Sequence, residues 1–488
     1  MTDSAHRISP RGVATPGVAT PGVTLIGMAI LTASAIAAAA TAAPAAPPAP
    51  PAPSAPVLAP GTFPDVSGLW SNFDVGATPG NSNPFSRALG TNGRSCASCH
   101  VESDAWTVTP PNLQRRFVST AGEDPIFASV DGTNCPSLAI ATPTEHQSAS
   151  SLLLGKGLIR IALTPPAGAQ FAVSNVVNPY GCTSTSMISV YRRIPTTANL
   201  TFLSTVMWDG RESLTGSSIP ADLIHQAGSA VTTHEGTSSV PAASVLQSME
   251  SFEIAQFAAQ TTDSAAGALN AAGALGGALN LSRQPFSLGV NDPFGRMATN
   301  PGVPPAPVFT LYTAWAGIAG ADSVSKARAS IARGEQIFNT RPMAITGVAG
   351  LNDQMAANGL PRTTVTGTCG TCHDAPNAGS HSVSVLFNTG VADGARRSAD
   401  LPLLTLINRT TGATVQSTDP GLALSSGEWA DIGKFKVPTL RLLAARAPYF
   451  HNGAAPTLGA VVAFYDQRFA LKLSAQEQAD LVAFLSAL

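Results

Sequence analysis

Four of the six cysteines stand in two identical frames, Cys96-Ala97-Ser98-Cys99-His100 and Cys369-Gly370-Thr371-Cys372-His373. On one helical turn, positions i, i+3 and i+4 share a face. Two thiols on that face can add to the two vinyl groups of one haem. The imidazole beside them then points at the iron as its proximal ligand. Two covalently bound c-type haems are therefore expected, one on Cys96, Cys99 and His100, the other on Cys369, Cys372 and His373. A four-thiolate zinc site would have to unite two pairs that lie far apart in the chain. A thioredoxin-type pair should open a helix in a βαβ unit, which is not evident. Neither explains a histidine after both pairs. Cys135 and Cys182 remain. In an oxidising compartment such a pair is most simply a disulfide, the alternative being two buried thiols.

The elements that must position these motifs belong to a chain of 488 residues, 44% hydrophobic and 11% charged. Apolar content of that size at a net charge of −2 excludes a disordered chain. With 27 basic against 29 acidic residues, nucleic-acid binding by bulk charge is excluded too. A polytopic membrane protein is excluded, because the long charge-free apolar run is confined to the N-terminus. Residues 1–43 read as a signal peptide, or as a membrane tether if uncleaved. Residues 44–60 read as a Pro/Ala-rich extended linker. The mature protein is thus expected to be exported, to the periplasm. Residues 61–323 would form an N-terminal haem domain and 324–488 a C-terminal, cytochrome c-like one. The second opens on a helical pattern from Ser325 to Phe338 and closes on the capping box Ser474 to Glu477 with a leucine stripe after it. Gln247 to Gln260 is another helix candidate, and Ala265 to Leu279 reads as a loose helix-turn segment. Strand signals are few. The expected fold is mostly α, two cytochrome c-like haem domains with long loops and few short strands.

Further motifs lie between and after the haem frames. They are Pro195-Thr196-Thr197-Ala198-Asn199, Met207-Trp208-Asp209-Gly210-Arg211, Lys434-Phe435-Lys436-Val437-Pro438-Thr439-Leu440-Arg441, and Tyr449-Phe450-His451-Asn452-Gly453. With them, the chain from about residue 85 onward resembles the bacterial di-haem cytochrome c peroxidases and their MauG-like relatives. The resemblance implies a division of labour. The N-terminal haem would be the peroxidatic site and the C-terminal haem the electron-transfer site. Trp208 would be an electron relay between them. The substrate would be hydrogen peroxide, and the electron donor a small protein such as a cytochrome c or a cupredoxin. MauG-like oxidation of a protein, rubber-oxygenase-like oxidation of an organic substrate, and non-catalytic electron transfer are the alternatives.

The resemblance also assigns ligands and proton carriers. The family's peroxidases place a methionine ligand downstream of the Tyr-Phe-His motif. Here that register holds Tyr465, as in MauG-like members, and no methionine follows Met355. A hard phenolate oxygen favours oxidised iron more than a thioether does. Tyr465 is thus the expected sixth ligand of the C-terminal haem, with His451 as competitor. The loop before Pro195 holds no histidine to close the N-terminal haem, and Met187 is a weak substitute. Gln226 matches the family's distal glutamine. Glu235 falls one residue short of the distal glutamate's spacing and His234 adjoins it, so either can be the acid–base group. Arg193 and Arg446 stand where relatives hold calcium, which argues against calcium. They would instead pair with haem propionates. His381 reads as a loop hydrogen-bonding residue.

Overall fold

The computed structural model describes residues 61–76, 82–286, 291, 306–357 and 363–488. The leader and the linker read from residues 1–60 lie outside the described residues. Among the described residues no helix is long and apolar enough to cross a membrane.

The fold is mixed α/β, which corrects the expectation of a mostly α protein. Among the described residues, four small antiparallel sheets carry much of the framework. Gly68–Asp74 pairs with Thr62–Pro64 on one side and with Gln256–Asp263 on the other. Leu158–Leu163 pairs with Ile188–Arg193, and Met343–Thr346 with Thr364–Gly367. Phe171–Val177 pairs with Leu403–Asn408, which also carries Thr414–Ser417. Chain on either side of residue 323 thus shares one sheet. Such pairings join segments distant in sequence, and no local period announces them. The helix expected over 247–260 is displaced for the same reason. It spans Ala243–Ile254, and Gln256–Asp263 continues as a strand. Residues 265–279 form turns and the two-residue strand Gly267–Ala268, with a short helix from Ala278.

Elements with a strong local signal form where expected. The helix Ser323–Thr340 starts on Asp322, whose carboxylate accepts the Ser325 N–H. The helix Ala475–Ser486 starts on the reciprocal Ser474/Glu477 box. The two helices touch backbone to backbone at Gly334, where an added Cβ would lie 2.0 Å from the Asp480 carbonyl oxygen. Gly334→Ala is expected to cost about 1–3 kcal/mol of stability by overpacking. Alanine is the better helix former by only about 1 kcal/mol. Urea denaturation measures the difference.

The described residues form one compact unit. Within it, one apolar cluster packs around Cys369 and Cys372 and another around Cys96 and Ala97. Cys135 and Cys182 form a disulfide with Cα atoms 5.7 Å apart.

Candidate haem sites

The second motif is built on a hairpin. Thr364–Gly367 runs into Thr368, which caps a single turn at Cys369 with Thr371 in a reciprocal box. The His373 N–H donates to the Cys369 carbonyl at 3.1 Å, so both thiols and the imidazole share one face. His373 Nδ1 lies 2.6 Å from the Gly379 carbonyl oxygen, a contact that requires the proton on Nδ1. Nε2 then keeps its lone pair. Burial lowers the imidazole to about 4, so the ring is a neutral ligand at neutral pH. Gly379 has φ +70°, and a Cβ there would meet Leu440 and Phe309 at 2.9 Å. Cys369 and Cys372 are free thiols pushed up to about 12 by burial.

The first motif repeats this design with different parts. Ser95 and Ser98 form the box that starts the turn Cys96–Cys99, and the His100 N–H donates to the Cys96 carbonyl at 2.9 Å. His100 Nδ1 lies 3.2 Å from the Trp106 carbonyl. That carbonyl is turned inward by two consecutive left-handed residues, Ala105 (φ 58°) and Trp106 (φ 59°). Left-handed backbone is costly outside glycine, by roughly 1–2 kcal/mol per residue. Burial lowers His100 to about 4 as well. Cys99 is pushed up to about 12 by burial, and Cys96 is also raised, first by burial and then by Glu253 and Glu235.

A largely apolar cavity of about 220 Å³ opens over the second motif. Cys369, Cys372 and His373 line it, and so do Tyr465, His451 and Trp208. Tyr465 sits on the helix Leu458–Phe469, its ring parallel to Phe469 and edge-on to Phe450 and Phe464. Burial pushes its phenol up, and the neighbouring Cys372 and Cys369 add to this. His451 has other neighbours. Its ring stacks on Phe435 at 3.8 Å and meets Trp208 edge-on at 6.2 Å. Burial lowers it to about 4, with Asp419 opposing. The Trp208 indole N–H donates to the Arg193 carbonyl at 2.7 Å. Trp208 and Pro195 also line a second, smaller cavity with Thr196, Lys436 and Arg446.

The expected proton carriers lie on or beside the helix Ile219–His234. Gln226 is half-buried in mid-helix, next to Ala227, which packs in the cluster around Cys96. Glu235 ends that helix with Oε1 3.7 Å from the Cys96 thiol and Oε2 accepting the Leu89 N–H at 2.9 Å. His234 turns elsewhere, with Nδ1 2.6 Å from Asp131. Met187 is exposed ahead of the strand Ile188–Arg193. His381 is buried against Phe387, with Nδ1 2.9 Å from Asp374.

Arg193 and Arg446 spend their guanidinium groups on carbonyl oxygens. Arg193 donates to Lys156 at 2.9 Å and to Arg446 at 3.2 Å. Arg446 donates to Thr439 at 2.9 Å and to Arg441 at 2.6 Å. Donor hydrogens pointing at these oxygens take the place of a cation.

No family model matches the chain. Curated relatives match a stretch of it. Cytochrome-c peroxidase IdrP1 of Denitromonas iodatirespirans is 35% identical over 140 residues, 25% of this chain and 36% of the relative. IdrP2 of the same organism is 36% identical over 132 residues, with the same shares. IdrP1 of Pseudomonas sp. (strain SCT) is 33% identical over 140 residues, again 25% and 36%. The chain is related to the cytochrome-c peroxidases. It spans about a third of the length of these curated cytochrome-c peroxidases. A solved structure, of a MauG-like protein associated with microbial copper homeostasis, aligns over 85% of this chain and 92% of its own, at 16% identity and TM-score 0.36.

The residues present fit haem, the group that the relationship to cytochrome-c peroxidases implies. Each motif offers two neutral thiols and one imidazole nitrogen with its lone pair free, the donor set of a c-type haem. Buried cations await counter-charge. Burial lowers Arg193 and Arg446 to about 10 and Lys436 to about 8, and all three line the cavity. Arg441 is buried beside the loop after His373, and its Nε and Nη2 meet no acceptor among the described residues. A propionate would supply one. Sequence reasoning missed Arg441, because nothing local says whether an arginine within a short apolar run is buried or points outward. It also missed Glu253, a buried carboxyl near Cys96 raised to about 8 by burial and then by Glu250.

Proposed function

We propose that the protein is an exported di-haem c-type cytochrome that reduces hydrogen peroxide at the haem on His100, with electrons entering through the haem on His373. The observation that carries this reading is the pair of motif turns, each with its imidazole pinned through Nδ1 to a backbone carbonyl. Bound haem supplies the redox chemistry. The chain's own residues do the rest. His100 and His373 present neutral nitrogens. Trp208, held by the Arg193 carbonyl, lines both cavities and is the candidate electron relay. One group at the end of the helix Ile219–His234 moves the proton from the near to the far peroxide oxygen. Tyr465 is the candidate sixth ligand on the His373 side, since its phenol lies beside both thiols while His451 lies beside Asp419. Tyrosine at this register also favours a second reading, oxidation of a protein or organic substrate in the manner of MauG-like proteins. The disulfide supports an oxidising compartment and hence export.

Pyridine haemochrome assay is expected to give two covalent haems per chain. Peroxide should be consumed when a reduced cytochrome c or cupredoxin is present. One haem per chain, or haem extractable by acid-butanone, refutes the di-haem reading. Peroxide loss independent of donor, coupled to oxidation of a protein or organic substrate, selects the second reading.

A further inference from the structure

His234 and Glu235 adjoin in sequence, yet their side chains meet different partners. The Glu235 carboxylate is taken up by the Leu89 N–H and faces the Cys96 thiol, and the residue is almost fully buried. The His234 side chain is 33% exposed, and its Nδ1 lies 2.6 Å from Asp131 Oδ2. Asp131 in turn pairs through Oδ1 with Arg94. Arg94 is buried and donates to the carbonyls of Pro125 at 2.7 Å and Ile126 at 3.0 Å. It stands one residue before Ser95, the cap of the first haem motif. The His234 carbonyl accepts from Asn92 at 2.7 Å, which ties the end of the helix to the same stretch of chain.

A carboxylate accepts and does not donate when ionised. Burial alone would raise Asp131, but His234 and Arg94 hold it below the usual carboxylate range. The contact therefore requires a proton on His234 Nδ1, which leaves Nε2 as the nitrogen that can exchange one. Arg94 and Asp131 thus fix both the tautomer and the direction of an imidazole beside the first haem motif.

We propose that His234 is the group that takes and returns the proton at the haem held by His100, and that Asp131 is the positioning residue that orients it. This rests on the reading of the His100 haem as the peroxide site. Nε2 accepts the proton of the near peroxide oxygen and gives it to the far one. The O–O bond breaks with its electron pair going to the far oxygen, which leaves as water. Two electrons from the donor and two further protons release the near oxygen as a second water. Glu235, already occupied, has no part in the transfer.

Cyanide binding to the ferric holoprotein tests this without turnover, because HCN must lose its proton as the anion binds iron. His234→Gln is expected to slow cyanide binding at the His100 haem by about 100-fold or more. Glu235→Gln should stay within about twofold of wild type if the transfer does not use it. Asp131→Asn and Asp131→Glu separate positioning from structure. Asparagine keeps the shape and loses the charge, whereas glutamate keeps the charge and strains a buried site. Slow binding in Asp131→Asn with partial recovery in Asp131→Glu supports the orienting role. Wild-type binding in Asp131→Asn with loss in Asp131→Glu overturns it. Wild-type binding in His234→Gln, or slow binding in Glu235→Gln, overturns the proton role. A wild-type His100 haem closed to cyanide overturns both. Peroxide turnover is measured in parallel with a reduced donor. If it is absent while the cyanide rate still depends on His234, the proton relay stands and the peroxidase reading falls.

Discussion

Replacing Tyr465 by phenylalanine is expected to change the optical and paramagnetic spectra of one haem and leave the other unaltered. The phenol borders the cavity over His373 and lies beside Cys369 and Cys372. Burial pushes the free phenol up, so ligation requires iron to displace its proton. The resulting phenolate is a hard oxygen ligand. The wild-type spectrum should lack the near-infrared band of a sulfur ligand. The phenylalanine variant should show a vacant or water-filled position on the His373 haem. Tyr465→His should give bis-imidazole ligation and a haem harder to oxidise. If Tyr465→Phe leaves both haems unchanged and His451→Ala alters the His373 haem, the ligand is His451. The MauG-like inference is then withdrawn, and an oxygenase-type reading gains.

Arg192→Leu is expected to cost about 3–5 kcal/mol, the effect of removing one partner from a buried ion cluster. Arg192 is fully buried, 2.5 Å from Asp209 and bidentate to Asp419 at 2.7 and 2.9 Å. Arg211 adds a 3.0 Å contact to Asp209. The cluster anchors the residue after Trp208 and borders His451, so its loss also loosens the walls of the cavity. Burial would raise the Asp209 carboxyl, but Arg192 and Arg211 hold it below its ordinary value. A depressed folded value contributes stability that is present above the ordinary carboxylate range and is lost as pH falls through the folded value. Wild type should therefore weaken on acidification through the carboxylate range. In Arg192→Leu the buried carboxylates lack their main cation, and the sign reverses: acidification should narrow the deficit. Denaturation at neutral pH and at about pH 3, below the ordinary carboxylate value, measures both limbs.

What the sequence made legible is what physics makes local. The two motifs, the helix after Asp322 and the Ser474 box depend on residues within a turn or two of one another. The cysteine pair was legible by elimination. The strands were not, because Phe171–Val177 finds its partner in Leu403–Asn408, and neither segment carries that information alone. The buried ion cluster was hidden for the same reason, since Arg192, Asp209 and Asp419 are ordinary charged residues until the fold unites them. The choice between His234 and Glu235 turned on Asp131, which had no signal in the sequence. Trp208 and Tyr465 were found through motif resemblance, and the structure sets both on one cavity.

The chain carries the Cys135–Cys182 disulfide beside two Cys-x-x-Cys-His frames. That coexistence sets an order on its biogenesis. In an unfolded chain, Cys96 and Cys99 are near neighbours and close a small ring readily, whereas Cys135 and Cys182 close a far larger one. An oxidant meeting the nascent chain would seal the haem thiols first. After folding the preference inverts. The motif thiols are buried, with Cys99, Cys369 and Cys372 pushed up to about 12, so few thiolates remain to attack a disulfide. The strand Ile188–Arg193, paired with Leu158–Leu163, meanwhile helps to bring Cys182 to Cys135. If the motifs take haem as proposed, its insertion belongs to an early, reducing window and disulfide closure to a late, oxidising one. In a host that oxidises thiols before haem arrives, the expected product is colourless.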